Sequence, residues 1–223
     1  AHGGFENYKQ AKALLFQAVA SASPKLIDGK MVTKTFVLHH GTAHVDFYAA
    51  QARSHVSLLW YGVEGSAAHV VAKHIRSSSD GMEFIVDDIP VQLRLSGKHN
   101  VENALAALAT CRALQVNMPE AIKALQRVQG VPGRLERVDL GQPWQVVIDY
   151  AYEPEALRRS VEALKAIPYT RLIHVLGSCG GGRDVARRPL LGAFAAQHAQ
   201  LVIVTNEDPY DDDPQTIIDQ IVV

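Results

Sequence analysis

The sequence is poor in cysteine and contains no long apolar run. Only Cys111 and Cys179 occur among its 223 residues, too few for a disulfide framework or a zinc cluster, which is typical of a reducing compartment. No apolar run approaches the roughly 18 residues of a membrane helix, and residues 1–4 lack the basic and apolar regions of a signal peptide. We therefore predict a cytoplasmic protein with no membrane partner.

An excess of charge of either sign is also missing. Lys and Arg number 22 against 23 Asp and Glu, which gives a formal net charge of -1. Such a balanced charge gives no long-range electrostatic attraction to nucleic acid or to an anionic membrane. Hydrophobic residues make up 48% and charged residues 20%, which indicates a globular protein of one large or two small domains.

The third absence concerns nucleotide-binding loops. The phosphate-binding motif G-x-x-x-x-G-K-[ST] does not occur, because Thr33 stands before Lys34 where a glycine is needed and His99 follows Lys98. A G-x-G-x-x-G fingerprint with an acidic ribose partner is missing as well. A dinucleotide-dependent oxidoreductase is therefore the weakest of the functional hypotheses.

The apolar pattern divides the chain into two parts. Apolar residues at three- and four-residue spacing predict a helix over residues 5–20, and short β-rich segments at residues 35–38, 56–61, 69–75 and 89–95 predict a sheet. Helices are predicted next over residues 101–114 and 119–129. The Gly-Val-Pro-Gly segment at residues 130–133 is typical of a hinge.

After the hinge, the pattern repeats strand, loop and helix three times. The predicted strands cover residues 145–149, 171–176 and 201–205. Such alternation indicates a parallel α/β sheet. Ligands bind such sheets at the carboxyl ends of the strands, where Asp149, Gly177 and residues 205–208 fall, so three loops are expected to converge there. We predict a binding site at this edge of the sheet.

A glycine-rich loop, Gly-Ser-Cys-Gly-Gly-Gly-Arg-Asp at residues 177–184, joins a predicted strand to a helix. Its backbone amides can face an anionic group, although a tight turn without a ligand would also use glycines. The guanidinium groups of Arg183, Arg187 and Arg188 suit a carboxylate or phosphate. Arginines near a helix start are also commonly just solvated.

An acidic segment follows the last predicted strand. Asn206, Glu207 and Asp208 lie near the strand end, where a carboxylate can hold a substrate ammonium group. A solvated turn explains residues 211–213 better, with Asp213 as the N-cap of the last helix.

Histidines are numerous but do not form a metal motif. His39, His40 and His44 lie in a β-rich stretch without a glutamate at metalloprotease spacing. We predict structural or surface roles for them.

Several segments together carry a family resemblance that nearly spans the chain. They are His2-Gly3-x4-Tyr8-x2-Ala11-Lys12-x2-Leu15-Phe16, Gly97-x2-Asn100-x2-Asn103-Ala104-x-Ala106-Ala107, Gly130 to Val138, Asp149-Tyr150-Ala151, the glycine loop with Arg183-Asp184, and Thr205 to Pro209. In this order they resemble the Mur ligase family, most closely its MurE branch.

The resemblance implies an α/β fold. Residues 1–133 would form the C-terminal part of a Mur ligase central ATPase domain. Residues 134–223 would form an incomplete Rossmann-like parallel α/β C-terminal domain. The implied reaction is ATP-dependent amide bond formation through an acyl phosphate, which adds the third amino acid to UDP-N-acetylmuramoyl-L-Ala-D-Glu in peptidoglycan precursor synthesis. ATP and Mg2+ would be the cofactors, UDP-N-acetylmuramoyl-dipeptide and a free amino acid the substrates, and the protein a monomer.

The resemblance also assigns roles at the nucleotide and metal end. Lys12, in carbamylated form, would act in catalysis and hold Mg2+, since carbamylation turns a cation into an oxygen donor suited to a hard metal; without the resemblance it is a surface helix lysine. Asn100 would contact the base of ATP, Arg134 its phosphates and Asp149 its ribose.

At the amino-acid end, the resemblance implies that Arg183, Asn206, Glu207 and Asp208 face the incoming amino acid. Tyr210 stands where relatives that add meso-diaminopimelate carry the Arg of Asp-Asn-Pro-Arg. A phenol has no positive charge to hold the distal carboxylate. We predict that lysine or another amino acid is preferred over diaminopimelate.

Other departures qualify the resemblance. The phosphate-binding loop and the first magnesium ligands of the family would lie before Ala1, so the chain alone is expected to be an inactive part of a ligase. Tyr152 and Glu153 replace His and Thr of the family's Asp-Tyr-Ala-His-Thr-Pro, and Gly182 stands where an Asp usually precedes the Arg.

Two alternatives remain open from the sequence. One is another ligase of the same superfamily, similar to folylpolyglutamate synthase and with a different acceptor. The other is a catalytically silent module that keeps the fold and only binds a nucleotide-sugar or a partner.

Overall fold

The computed structural model describes residues 3–27, 29–78, 81–165, 168–182 and 184–222. The chain folds as two compact units, Ala1–Gln129 and Gly130–Val223. The elements of the first unit are α1 (Phe5–Ser21), β1 (Lys25–Ile27), β2 (Lys30–Val32), β3 (Thr35–His39), α2 (Val45–Ala49), β4 (Ser57–Val63), β5 (Val70–Ser78), β6 (Gly81–Val86), β7 (Ile89–Leu93), α3 (Lys98–Ala113) and α4 (Met118–Leu125).

A five-stranded mixed sheet with the order β3-β4-β5-β6-β7 is the centre of the first unit. β3, β4 and β5 pair in parallel, whereas β5, β6 and β7 pair antiparallel. A two-residue turn joins β6 to β7, and both of its residues have positive φ, 51° at Asp87 and 61° at Asp88. Turns of this kind match the twist of an antiparallel hairpin.

The main core of the first unit lies between the sheet and α3. One face of α3 is buried, and it consists of Val101, Ala104, Leu105, Leu108 and Ala109. These residues share one apolar core with buried residues of β5, β6 and β7 and with half-buried residues of β3 and β4. The spacing of three and four residues along α3 is what places them on one side of the helix. A smaller core joins α1 and α2 to β3.

The second unit contains β8 (Glu136–Val138), β9 (Val146–Ile148), α5 (Pro154–Leu164), β10 (Ile173–Leu176), α6 (Arg187–His198), β11 (Leu201–Val204) and α7 (Pro214–Ile221). β10 and β11 pair in parallel. Leu157 and Val161 of α5 pack with Leu191 of α6 in its core. The predicted α/β fold class is confirmed.

The sequence prediction differs from the structure at the first strand of this unit. We expected β9 to join a parallel sheet, but in the described part of the chain it pairs antiparallel with β8. The short segment between them contains Gly141 with φ of 84°. Because β8 lies close to β9 along the chain, closing the hairpin costs little conformational entropy. The domain boundary predicted after residue 133 remains a prediction.

Most predicted helices and strands lie within a few residues of their observed bounds. Sequence reasoning missed β1, β2, α2, β6 and β8, which are short or carry a weak apolar pattern. None of the helices in the described ranges combines the length and apolar character that a membrane span requires.

Candidate functional site

Two loops meet at the carboxyl ends of β10 and β11, and we call residues 177–182 and 205–210 the paired loops. The backbone N–H of Gly180 donates to the carbonyl of Asp208 at 3.0 Å. A Cβ on Gly180 would lie 2.0 Å from the carbonyl oxygen of Pro209, and one on Gly177 would lie 2.8 Å from the carbonyl oxygen of Thr205. The glycines therefore allow direct backbone contact between the loops. Of the three loops predicted to converge at the strand ends, these two are in contact, whereas Asp149 follows β9, which pairs with β8.

Tyr210 lies over the glycine loop. Its backbone φ is 53°, and the residue is 63% exposed. A Cβ on Gly181, whose own φ is +65°, would lie 3.0 Å from Cδ2 of Tyr210. The phenol ring thus rests on bare backbone and borders the surface that the paired loops present.

Arg188 is a buried connector behind the paired loops. Only 3% of the residue is exposed. Its Nη2 donates to the carbonyl of Cys179 at 2.9 Å, and its Nη1 donates to Oε1 of Gln220 on α7 at 2.5 Å. Asp212 lies 3.7 Å from Nη2. The guanidinium therefore ties the glycine loop to the acidic segment and to α7.

Arg187 is also buried, with 5% of the residue exposed. Its Nη1 lies 2.8 Å from Oε1 of Glu153, which immediately precedes α5. Its guanidinium carbon lies 4.9 Å from the centre of the Tyr152 ring. The alternative that these helix-start arginines are merely solvated is wrong for Arg187 and Arg188, because each packs against partners far away in sequence.

The residues that follow β9 are fixed by neighbours within the second unit. Asp149 accepts a hydrogen bond from the hydroxyl of Ser160, a buried residue of α5. Arg134 donates to the carbonyl of Tyr150 at 3.1 Å, and its guanidinium carbon lies 5.1 Å from the Tyr150 ring centre. The backbone N–H of Tyr150 donates to the carbonyl of Gly133 at 2.8 Å. Sequence reasoning singled out Arg134 and Asp149 but missed Ser160.

Four residues were predicted to contact the incoming amino acid. Arg183 lies outside the described residues. Asn206 and Asp208 are exposed and Glu207 is half-buried; all three belong to the paired loops. Asp213 is confirmed as the N-cap of α7, since its carboxylate accepts from the backbone N–H of Thr216 at 2.9 Å. Hydrogen bonds from Thr216 lower the pKa of the Asp213 carboxyl.

In the first unit, Asn100 lies in the first turn of α3. Its side-chain amide donates to the carbonyl of Ser96 at 2.8 Å and accepts from Asn103 at 3.2 Å. Gly97 precedes the helix with φ of 95°. Lys12 lies on α1 and is exposed, with Nζ 5.3 Å from the ring centre of Tyr8.

A metal site needs several donor side chains close together. Groups of three or more His, Cys, Asp or Glu residues that could hold a metal ion do not occur among the described residues. His39, His40 and His44 contact the rings of Tyr61, Trp60 and Phe5 instead. An amine is not a magnesium ligand, so Lys12 fits Mg2+ only as a carbamate, which supplies oxygen.

Two family models match the chain. The Mur ligase middle domain matches residues 1–111, and the Mur ligase glutamate ligase domain matches residues 133–223. A UDP-N-acetylmuramyl-tripeptide synthetase of Roseiflexus sp. (strain RS-1) is 38% identical, with 99% of this chain and 43% of that protein covered. A UDP-N-acetylmuramoyl-L-alanyl-D-glutamate--2,6-diaminopimelate ligase of Solibacter usitatus is 35% identical, with 100% of this chain and 43% of that protein covered.

Solved structures agree with these sequence matches. The structure of a UDP-N-acetylmuramoyl-L-alanyl-D-glutamate--2,6-diaminopimelate ligase has a TM-score of 0.62 at 28% identity and covers 99% of this chain and 44% of its own. Mycobacterium tuberculosis folylpolyglutamate synthase has a TM-score of 0.66 at 22% identity over 84% of this chain and 42% of its own, a likeness of fold alone. The chain thus spans 43% of the length of the first curated relatives it matches. On these matches and this fold, the chain belongs to the Mur ligase family.

Proposed function

We propose that the natural protein carrying this chain is an ATP-dependent acid–amino-acid ligase that adds the third amino acid to UDP-N-acetylmuramoyl-L-Ala-D-Glu. The observation that carries the proposal is the match of nearly the whole chain to relatives of this kind at up to 38% identity. The paired loops support it, since they form a surface at the carboxyl ends of two parallel strands, where α/β folds bind ligands.

The proposed chemistry has two steps. The carboxylate of the peptide substrate attacks the γ-phosphorus of ATP, so that an acyl phosphate forms and ADP leaves. The amine of the incoming amino acid then attacks the acyl carbon, an amide bond forms and phosphate leaves. Transfers of this type depend on positioning and on neutralising the charge of the phosphates. When bound, Mg2+ would supply part of that neutralisation.

Within the second unit, Arg134 and Asp149 are the proposed nucleotide contacts. Arg134 has a fork of five N–H donors, one of which bonds to Tyr150, and we assign it to the phosphates. Asp149 is held by Ser160, and we assign its carboxylate to the ribose. In the first unit, we assign Asn100 to the base and Lys12, as a carbamate, to Mg2+ and to catalysis.

The paired loops are the proposed site for the incoming amino acid. Arg183 would hold its carboxylate, and Asn206, Glu207 and Asp208 would hold its ammonium group. Tyr210 borders this surface with an uncharged ring. We therefore propose lysine, rather than meso-diaminopimelate, as the preferred substrate.

Replacing Tyr210 with Arg is expected to shift the choice of amino acid toward meso-diaminopimelate. An arginine at this exposed position can pair with the distal carboxylate, which lysine lacks. We expect the ratio of kcat/KM for diaminopimelate to that for lysine to rise by about 10-fold or more, as measured by competition between the two amino acids. Tyr210→Phe is the control, because it changes the hydroxyl without adding charge. A wild-type protein that already prefers diaminopimelate would refute the role of Tyr210.

The acyl phosphate is tested by an isotope experiment. UDP-N-acetylmuramoyl-L-Ala-D-Glu labelled with oxygen-18 in its reacting carboxylate is incubated with ATP, Mg2+ and lysine. One labelled oxygen is expected in each phosphate released, because that oxygen leaves with phosphate when the amine attacks. Phosphate that carries no label while amide accumulates would exclude this route.

A further inference from the structure

Four side chains of the second unit form a row in which two tyrosine rings lie between two guanidinium groups. The guanidinium carbon of Arg134 lies 5.1 Å from the ring centre of Tyr150. The rings of Tyr150 and Tyr152 meet edge to face at 5.0 Å. The guanidinium carbon of Arg187 lies 4.9 Å from the ring centre of Tyr152. We call these four residues the arginine–tyrosine stack.

The stack has a buried end and an exposed end. Arg187 is only 5% exposed, and a buried guanidinium loses its hydration. The carboxylate of Glu153 and the face of the Tyr152 ring offset this loss. Arg134 at the other end is exposed. The stack therefore joins a fixed buried cation to an exposed one that can meet an anionic ligand.

The two residues that contact Arg187 are also the two departures from the family's Asp-Tyr-Ala-His-Thr-Pro segment. Tyr152 stands in place of His and supplies the ring, and Glu153 stands in place of Thr and supplies the carboxylate. Both contact the same guanidinium, that of Arg187. The two departures therefore act together, because the ring and the carboxylate that they supply surround one buried guanidinium.

We propose that Tyr152 is a positioning residue that, through Tyr150, orients Arg134 toward the phosphates of the nucleotide. The phosphate role of Arg134 rests on the proposed function. The orientation rests on contacts within the second unit: Arg134 is bonded to the Tyr150 carbonyl and stacked on its ring. Tyr152 holds that ring from the side. Without Tyr152, the Tyr150 ring loses its anchor to Arg187, and the Arg134 side chain gains rotational freedom.

The orientation is tested by nuclear magnetic resonance of the natural protein with nitrogen-15-labelled arginine. The Nε proton of an arginine above a ring is shifted upfield, and Arg134→Lys identifies its signal. We expect the upfield shift to persist in Tyr152→Phe, which keeps the ring, and to be largely lost in Tyr152→Leu. The Nε signal of the surface Arg158, paired with Glu155 on α5, should not move and is the internal reference, and the thermal unfolding midpoint reports whether each variant remains folded. An unchanged Arg134 shift in Tyr152→Leu would overturn the positioning role.

The functional part is tested by calorimetric titration of the same variants with ATP and Mg2+. Loss of one cation–ring arrangement is expected to weaken ATP binding about five-fold in Tyr152→Leu, and Tyr152→Phe should bind as the wild type does. If Arg134→Ala binds ATP as tightly as the wild type, the phosphate role of Arg134 fails, and with it the proposed nucleotide contact, whatever the resonance experiment gives. If Arg134→Ala binds weakly while Tyr152→Leu binds normally, the proposed function stands and the inference about Tyr152 is wrong.

Discussion

Gly180→Ala is expected to destabilise the second unit by about 3 kcal/mol, at the upper end for an overpacked site, and to abolish amino-acid addition. The new Cβ would lie 2.0 Å from the carbonyl oxygen of Pro209, 2.8 Å from its carbonyl carbon and 2.9 Å from Oδ2 of Asp212. Two of these three atoms belong to the backbone, so they cannot move aside without opening the paired loops. Opening would also break the hydrogen bond from Gly180 to Asp208.

The effect is measured as the midpoint of thermal unfolding together with the rate of amide formation. Gly130→Ala is the matched control, because no atom lies within 4 Å of the added Cβ and its backbone φ is not positive; we expect no loss there. Gly182→Ala separates backbone strain from collision, since its Cβ meets open space but its φ is +72°. Wild-type stability and rate in Gly180→Ala would show that the loops do not touch as described.

Arg188→Met is expected to lower the free energy of unfolding by about 3 kcal/mol, because it removes the hydrogen-bond donor from a buried polar cluster. The methionine fills much of the space but leaves the carbonyl of Cys179 and the amide of Gln220 without their partner. Asp212 is partly exposed and can be rehydrated, which keeps the loss below that of a fully buried ion pair.

Denaturant unfolding of the variant measures this loss. Arg171→Met is the matched control, since Arg171 is exposed and surface substitutions usually change stability by less than about 0.5 kcal/mol. Arg188→Lys should fall between the two, because a lysine keeps the charge but cannot contact the Cys179 carbonyl and Gln220 with one planar group. Equal stability of Arg188→Met and Arg171→Met would contradict the role of Arg188 as a connector.

The apolar pattern of the sequence predicted those elements whose buried residues recur at regular spacing. α3 was predictable because its buried residues recur at helical spacing. The paired loops were predictable because parallel strands place their following loops at one edge of the sheet. β8 was not, because a strand of three residues, two of them exposed, carries almost no apolar pattern. Without β8, the antiparallel partner of β9 could not be foreseen.

The surroundings of the two helix-start arginines could not be predicted for a different reason. The partner of Arg187 is Glu153, 34 residues away, and that of Arg188 is Gln220, 32 residues away. Whether an arginine is solvated or buried depends on such distant contacts, which helix and strand patterns do not encode. The sequence did indicate that residues 152 and 153 were unusual for the family, and the structure shows that they share one partner.

The natural protein is proposed to be an ATP-dependent amino-acid ligase. The decisive measurement is phosphate release from ATP in the presence of Mg2+, UDP-N-acetylmuramoyl-L-Ala-D-Glu and either L-lysine or meso-diaminopimelate. We predict phosphate release that requires both the dipeptide substrate and the amino acid, and that is faster with lysine. The absence of amino-acid-dependent phosphate release with every amino acid tested would contradict the claim and favour a module that only binds.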